Sequence, residues 1–575
     1  MEYFVGIDVG TGSARACVID SHGDVLGLHV EPTKTWNPRH EIYEQSTENI
    51  WSCICKSVKM AVARSDIKPE AIRGVGFDAT CSLTITDKSG APLSVDPESG
   101  FNEHERNIIL WADHRAIAQA NRINATKHKV LQYVGKTISP EMEIPKTLWL
   151  SENMPAEKFD QIGHIFDLPD YLTFRATGSL ARSTCSVSCK CSFAPLGIED
   201  SKGWDEDYFR TIGLGQLADE GFKRLGGIPG ETGVYHFAGD PVGNGLNKKA
   251  AEDLGLIEGT PVGSAVIDAY AGAIATLGAS SSREEAQEMA SLPLKESLLH
   301  LGANRLAIIC GTSSCHIAMA PEAIFVPGVW GPYKSVLLPD MWCAEGGQSS
   351  TGQLIDHILN KHPAIDDAKQ MAKERDMNIY AFLNTFLEEK KQKHNCKYLE
   401  DLVTQLHIYP DFHGNRSPLA DPTLRGVIVG NSLDASVDDL AVKYLATLQA
   451  ISCQTRHIIE SLNSCGYTID TLCLSGGLCK NPIFVQLHAD ITGCKVILPK
   501  SIEGAVVIGA GFLGARAAGL SDNLWDVMIK LGQAGDVINP SEDPYIKTYN
   551  ERRYKVFKLM LEDQRKYRRI MAGEE

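Results

Sequence analysis

Several features that would mark other classes of protein are missing from this chain. Its 16 cysteines are scattered over 575 residues, and no pair of CxxC knuckles occurs among them. The tightest group, Cys185, Cys189 and Cys191, lacks the spacing of a zinc ribbon, so a structural zinc site is not expected. An excess of basic charge is also missing: 56 Lys and Arg stand against 72 Asp and Glu, a net charge of −16. Without a basic stripe to neutralise phosphates, nucleic acid is excluded as the main partner. No apolar run reaches membrane-spanning length. The stretch Ala505–Leu513 is apolar but short, broken by glycine and followed by Arg516. No signal-peptide pattern precedes Met1-Glu-Tyr-Phe4. The expectation is a cytoplasmic protein with free thiols and no membrane partner. Hydrophobic content of 43% and charged content of 22% are ordinary for a globular enzyme, and this length predicts two domains.

What the chain does contain is a glycine turn between two apolar strands at its start. Residues 3–9 are mostly apolar and carry Asp8 near their end. Gly10, Thr11, Gly12 and Ser13 follow with little side-chain bulk, and Ala14–Ile19 resume the apolar run. Such a turn leaves backbone N–H groups unobstructed, and Thr11 and Ser13 add hydroxyl donors, a set that suits a phosphate. Asp8 is placed to hold a Mg²⁺ accompanying that phosphate. A plain hairpin with a glycine turn accounts for this stretch equally well when it is taken alone. A second copy shifts the balance: Leu306–Cys310 runs into Gly311, Thr312, Ser313 and Ser314, and a further apolar strand follows. Similarity at this range points to a duplicated domain. Two such hairpins facing each other would clamp a nucleotide polyphosphate.

Between and after the hairpins, polar residues recur at strand ends, where α/β sheets meet their ligands. The strand Ile72–Phe77 ends at Asp78, a candidate substrate contact or a turn cap. Trp111-Ala-Asp-His-Arg115 offers an aromatic wall and a carboxylate, Asp113, as a polyol requires. The strand from Pro261 ends at Asp268, where a helix of small residues begins. A carboxylate there is favoured in its ionised form by the helix dipole, and it is a candidate base for an attacking hydroxyl as well as a candidate helix cap. Thr471–Ser475 leads into Gly476 and Gly477, then Asn481-Pro482 opens a helix. Two glycines there let an adenine or its ribose lie against the backbone. Residues 279–303 and 361–397 look like polar surface insertions, and residues 544–575 like a charged, largely exposed helix.

The ordered set of Asp8–Ser13, Asp268, Gly311–Ser314 and Gly476–Asn481 resembles the FGGY family of carbohydrate kinases, within the actin, hexokinase and Hsp70 ATPase superfamily. The combination of Trp111–Arg115, Val329-Trp-Gly-Pro-Tyr333, Glu345-Gly-Gly-Gln-Ser349 and Gly414-Asn-Arg-Ser-Pro-Leu-Ala-Asp421 looks like its ribulokinase-like branch, whose members phosphorylate D-ribulose. The resemblance implies an α/β fold of two RNase H-like domains with an inter-domain cleft. Residues 1–260 would bind mainly the sugar and 261–530 mainly ATP–Mg²⁺, with a helical tail over 531–575. It implies Asp268 as catalytic base, Asp8 at the metal, and the turn residues and Gly476, Gly477 and Asn481 at ATP. Asp78, Trp111, Asp113, Lys146, Asp268 and Glu345 would line the sugar pocket. L-ribulose, D-xylulose or another polyol stay open as substrates, as does a nucleotide switch without transferase activity. The partners expected are a small sugar and ATP, with a homodimer as the one oligomer considered.

Overall fold

The computed structural model describes residues 2–198, 200–280, 282–532 and 535–574. The chain forms two compact units, each assembled from separate stretches. The first takes residues 1–303, 317–345 and 503–534; the second takes 304–316, 346–502 and 535–575.

The first unit is built on a sheet ordered Val262–Ile267, Ile72–Ala79, Tyr3–Val9, Ser13–Asp20, Val25–Pro32. Tyr3–Val9 pairs antiparallel with Ser13–Asp20 and parallel with Ile72–Ala79, and Val262–Ile267 adds a further parallel strand. Its central strands are buried along almost their whole length, which is why they read as unbroken apolar runs. Helix Thr47–Ser65 is capped by Ser46, whose Oγ accepts from the Asn49 amide, and it buries Ile50, Trp51, Ile54 and Val58. These residues join Val5, Ile7, Val9 and Phe77 in one core.

Helix Ala505–Ala517 packs on Tyr3–Val9, Ile72–Ala79 and Val262–Ile267. Glycine lets it approach so closely. A Cβ on Gly6 would lie 2.0 Å from the Val507 carbonyl oxygen, one on Gly76 1.9 Å from that of Ala510, and one on Gly74 2.1 Å from that of Gly514. Backbone rests on backbone, and no side chain fits between. This contact draws a stretch near the C-terminus into the first unit. The compact units therefore interleave along the chain, whereas the expected cuts at 260 and 530 divide it into consecutive pieces.

The second unit holds, in order, the strands Arg305–Cys310, Thr471–Ser475, Lys495–Ile497 and Val537–Ile538. Arg305–Cys310 pairs parallel with Thr471–Ser475, which pairs parallel with Lys495–Ile497. The order repeats that of the first sheet, so the duplication seen in the two glycine turns extends to the strand plan around them. The 28-residue helix Val437–Ser464 is the main helical support of this unit and buries 17 of its residues.

In each of the three stretches expected at the surface, a minority of the described positions is buried while the rest stays exposed or half-buried. Helix Pro544–Ala572 buries Ile546, Asn550, Tyr554, Phe557 and Leu561, positions that recur at helical spacing on one face. It is part of the second unit and not a tail. Within 279–303, Met289, Leu298 and Leu301 are buried, and Trp525 Nε1 donates to Ser297 Oγ at 2.9 Å; Ser281, within that range, lies outside the described residues. Within 361–397, helices Ile365–Glu374 and Ile379–Lys393 bury Ala368, Phe382 and Leu387. Their apolar positions are too widely spaced among charges to stand out in composition. No helix among the described residues is long and apolar enough to cross a membrane.

The glycine contact makes a direct prediction. Gly76→Ala should lower the unfolding free energy by about 3 kcal/mol, because the sheet or the helix must shift to admit one methyl group. Gly12→Ala, whose Cβ would meet nothing within 4 Å, should change it by less than about 0.5 kcal/mol. Urea unfolding of the two variants checks both, and equal midpoints would contradict the packing argument.

Candidate active site

In the first unit three aspartates meet at the carboxyl ends of three neighbouring parallel strands. Asp8 and Asp78 are register partners, Val9 pairs with Ala79, and Ala79 pairs with Ile267, the residue before Asp268. The topology alone thus gathers residues from three distant parts of the sequence at one sheet edge.

Each of the three has a different environment. Asp8 is 2% exposed and accepts from Arg15 Nη1 at 3.1 Å. Burial pushes its carboxyl up, and the Arg15 charge pulls it part of the way back. Asp78 is fully buried, and neither of its oxygens has a hydrogen-bond partner. Burial first, then the charges of Asp8 and Asp268, raise its carboxyl well above the usual range. Asp268 is half-buried, and its Oδ1 accepts from the Ala269 amide at 2.7 Å. Its carboxyl is pushed up to about 6, by burial first and then by Asp8; the Ala269 amide and Lys190 lower it, and Glu345 raises it. Asp268 opens its helix from the first helical position and makes no capping bond, since the cap residue is Ile267. The cap reading is thereby removed.

The acidic pair Asp8 and Asp78 fits a divalent cation. Two buried carboxylates side by side, one without any donor, are a hard oxygen set left uncompensated by protein.

A buried ion pair stands close by. Lys190 Nζ lies 3.2 Å and 3.4 Å from the two oxygens of Glu345, Tyr270 OH donates to Glu345 Oε2 at 3.2 Å, and the ammonium sits 4.8 Å from the centre of the Trp330 ring. Glu345 was expected from sequence; Lys190 and Tyr270 were not. Lys190 is the lone charge in the run 183–198, and that isolation was the available signal. Trp111 Nε1 donates to Thr11 Oγ1 at 3.0 Å, tying the aromatic wall to the first glycine turn.

Two expected sugar contacts have other work. Asp113 is fully buried, accepts from Arg115 Nε at 2.9 Å and from the Tyr43 amide at 2.7 Å, and shares Arg115 with Glu44. Lys146 is fully buried and donates to the carbonyl oxygens of Leu110, Glu141 and Trp111 at 2.8, 3.1 and 3.4 Å. Both brace the loop that presents Trp111, and neither is a free group for a sugar. Both belong with the residues that position the site.

In the second unit, Gly311 and Thr312 are exposed at their turn. The turn is braced from below: the Gly311 carbonyl accepts from the Gly352 amide at 3.1 Å, and that of Thr312 from the Thr351 amide at 2.9 Å. Gly476 has φ +95°, and a Cβ there would lie 2.4 Å from the Cys310 oxygen. Glycine is required at this position twice over. A Cβ on Gly477 would meet nothing within 4 Å, so that face is open. Asn481, expected at the nucleotide, is also tied into the fold. Its Oδ1 accepts from the Ile483 amide at 3.1 Å, capping helix Pro482–Thr492, and its Nδ2 donates to Tyr444 OH at 2.6 Å.

A repeated mixed sheet with acidic strand ends and glycine turns is the two-domain plan of the actin and hexokinase type. Solved structures sharing it include the xylulose kinase from Rhodospirillum rubrum, at TM-score 0.72 and 19% identity over 98% of this chain and 99% of that one. The Plasmodium falciparum glycerol kinase with ADP has TM-score 0.71 and 17% identity, over 96% of this chain and 97% of that one. At these identities the likeness is one of fold. The chain belongs to the FGGY family of carbohydrate kinases, its N-terminal domain matching residues 3–275 and its C-terminal domain residues 306–518. It is thus a phosphotransferase with an alcohol acceptor. Among its relatives, the "FGGY carbohydrate kinase domain-containing protein" of Homo sapiens is 44% identical over 100% of this chain and 98% of its own length. The "D-ribulokinase YDR109C" of Saccharomyces cerevisiae is 41% identical over 98% of this chain and 77% of its own.

The ion pair provides a test of its own. Lys190→Met should cost about 3 kcal/mol of stability by stranding the Glu345 charge, and adding Glu345→Gln should recover most of it. A double-mutant cycle in urea measures this; simple additivity of the two single changes would contradict a direct pair.

Proposed function

We propose that the chain phosphorylates a ketopentose from ATP, with D-ribulose as substrate and D-ribulose 5-phosphate as product. The observation that carries the mechanism is Asp268: a half-buried carboxylate at a parallel strand end, with its acidity set near 6 beside two buried acids. The choice of sugar rests on the 41% identity to the yeast D-ribulokinase.

In this reading Asp268 accepts the proton of the sugar's terminal hydroxyl while that oxygen attacks the γ-phosphorus in line and ADP leaves. The amides of the turns Gly10–Ser13 and Gly311–Ser313, with the Thr11 and Thr312 hydroxyls, meet the charge of the transferring group. Lys190, Glu345 and Trp111 hold the sugar: the charged pair offers donors and acceptors to its hydroxyls, and the indole offers a face to its carbons. Gly477 leaves room for the adenosine. Asp8 and Asp78 would hold the Mg²⁺ that accompanies ATP, and that ion supplies neutralisation of phosphate charge.

An ionised Asp268 is required, and its proton is lost near pH 6. Turnover of D-ribulose per enzyme at low sugar should therefore fall about tenfold per pH unit below about 6 and level off above it. Asp268→Asn should lower turnover about a thousandfold at pH 7.5 with little change in ATP affinity. Near-normal turnover in that variant would remove Asp268 from the role of base.

A coupled ADP assay with D-ribulose, L-ribulose, D-xylulose and glycerol tests the substrate. D-ribulose should give the highest kcat/KM by at least about tenfold, and a higher value for any other acceptor would replace it. Gly477→Val should fold normally and raise the KM for ATP at least about tenfold, since its side chain enters open space. An unchanged KM would move the adenosine elsewhere.

A further inference from the structure

Helix Pro544–Ala572 carries a feature that phosphoryl transfer does not use. Arg553 is 7% exposed and sits in the second unit without a carboxylate partner. Its Nη1 donates to the Leu406 carbonyl at 2.6 Å and to His407 Nδ1 at 2.5 Å; its Nη2 donates to the Val403 carbonyl at 3.0 Å and to Gln449 Oε1. Every one of these acceptors is neutral. Burial and the Arg553 charge hold His407 down at about 4, so its ring accepts as the uncharged form. The fifth donor, Nε, is buried with no partner. A guanidinium withdrawn from water is ordinarily matched by an acid, and here none is supplied.

Beside it lies a cavity of about 580 Å³, a size that suits a small metabolite. Arg552, Arg553, Tyr545, Tyr549, Thr548 and His407 are among its lining residues. Arg552 is exposed and brings a second cation to the same cavity. Both side-chain amide atoms of Asn550, on the same helix, are buried without a hydrogen-bond partner, while the Tyr549 hydroxyl interacts with the Gln449 side chain. The rim acid Asp401 is engaged: it accepts from the Tyr545 hydroxyl and from the Tyr398 amide. Glu400 lies near Tyr549 but is itself buried, and burial raises its carboxyl.

Two guanidinium groups line the cavity, one of them with an unpartnered Nε–H, while Thr548 Oγ1 is already engaged, donating to the Pro544 carbonyl at 2.7 Å. A phosphoryl group, with three outward oxygens and up to two charges, matches them, and the tyrosine rings leave an apolar wall for the rest of a small molecule. We propose that this cavity is a second ligand site, taking the phosphoryl group of a small phosphorylated molecule, apart from the residues that carry out transfer.

The test is calorimetric titration of the full-length protein with inorganic phosphate and with D-ribose 5-phosphate as separate probes. Wild type, Arg552→Glu and Thr548→Trp are compared, the last filling the cavity. The expected result is binding of at least one probe to wild type, weakened at least tenfold in both variants, while their unfolding midpoints without probe and their sugar kinase turnover match wild type. Equal affinity for both probes supports the proposal and makes the phosphoryl group alone the recognised part; tighter binding of the sugar phosphate supports it and adds the apolar wall. Wild-type affinity in both variants, or no binding of either probe at millimolar concentration, would overturn it. Arg553→Met gives an independent reading. It should lower the unfolding midpoint, since the Leu406 and Val403 carbonyls, His407 and Gln449 lose their donor, and should lose probe binding; retention of binding in the folded variant would also overturn the proposal.

Discussion

The contact on which the first unit depends is the seat of helix Ala505–Ala517 against bare backbone. Gly6, Gly74 and Gly76 on two adjacent strands present no side chains to it, and the carbonyl oxygens of Val507, Ala510 and Gly514 come down where those side chains would be. Close packing of this kind fixes the height of the helix over the sheet to a fraction of an ångström. Asp8 and Asp78 belong to the same two strands, two residues beyond Gly6 and Gly76. The rigidity that the glycines impose is therefore delivered directly to the two acids. A looser interface with ordinary side chains would permit the strands to slide, and the register Asp8 with Asp78 would lose its sharpness.

That register has an electrostatic consequence. Two carboxyls forced side by side out of water cannot both be ionised cheaply, so burial and the neighbouring acids raise the Asp78 carboxyl well above its usual range, while Asp8 has Arg15 as counter-charge. The strain is stored in a site with no other evident purpose in the fold. A core that needed only stability would carry apolar residues at these two positions. The acids are explained by something positive that arrives later, and the nearby glycine turn explains what would bring it. The same logic applies to Arg553 with the sign reversed. In both places a buried polar group left short of partners is more informative than any number of satisfied ones.

Much of the first site could be read from sequence because it is built from local signals. A strand, a glycine turn and an acid announce themselves within ten residues, and the second copy at Gly311–Ser314 confirms the pattern by repetition. Asp78 and Asp268 were legible for the same reason: each closes a strand. What escaped was whatever depends on contacts between distant segments. Lys190 finds Glu345 across 155 positions, and Gly76 meets Ala510 across more than four hundred. Asp113, Lys146 and Asn481 make bonds within the fold that the sequence did not announce, because their chemistry suits a ligand and a scaffold equally well. Residue type cannot say whether a carboxylate will find an arginine first. The interleaving of the two units was not legible because a helix may return to a sheet from any point in the chain, and hydrophobic periodicity carries no address.

The pairing of Lys190 with Glu345 limits what Lys190 can do to the basicity of Asp268. A lone ammonium near a carboxylate lowers its proton affinity, and a lone lysine beside Asp268 would drive the acid toward the strong, weakly basic end of its range. Glu345 works against that effect, as its own charge raises Asp268 while Lys190 lowers it. The pair is nearly neutral when viewed from Asp268, and burial together with Asp8 then sets the outcome. The carboxylate ends near 6, ionised at neutral pH yet basic enough to take a proton as an alcohol becomes a nucleophile. A cation that hydrogen-bonds a polar acceptor can therefore sit beside the base without disabling it, provided that it brings its own counter-ion. This requirement gives Glu345 a reason to be where it is that does not depend on which sugar fills the pocket.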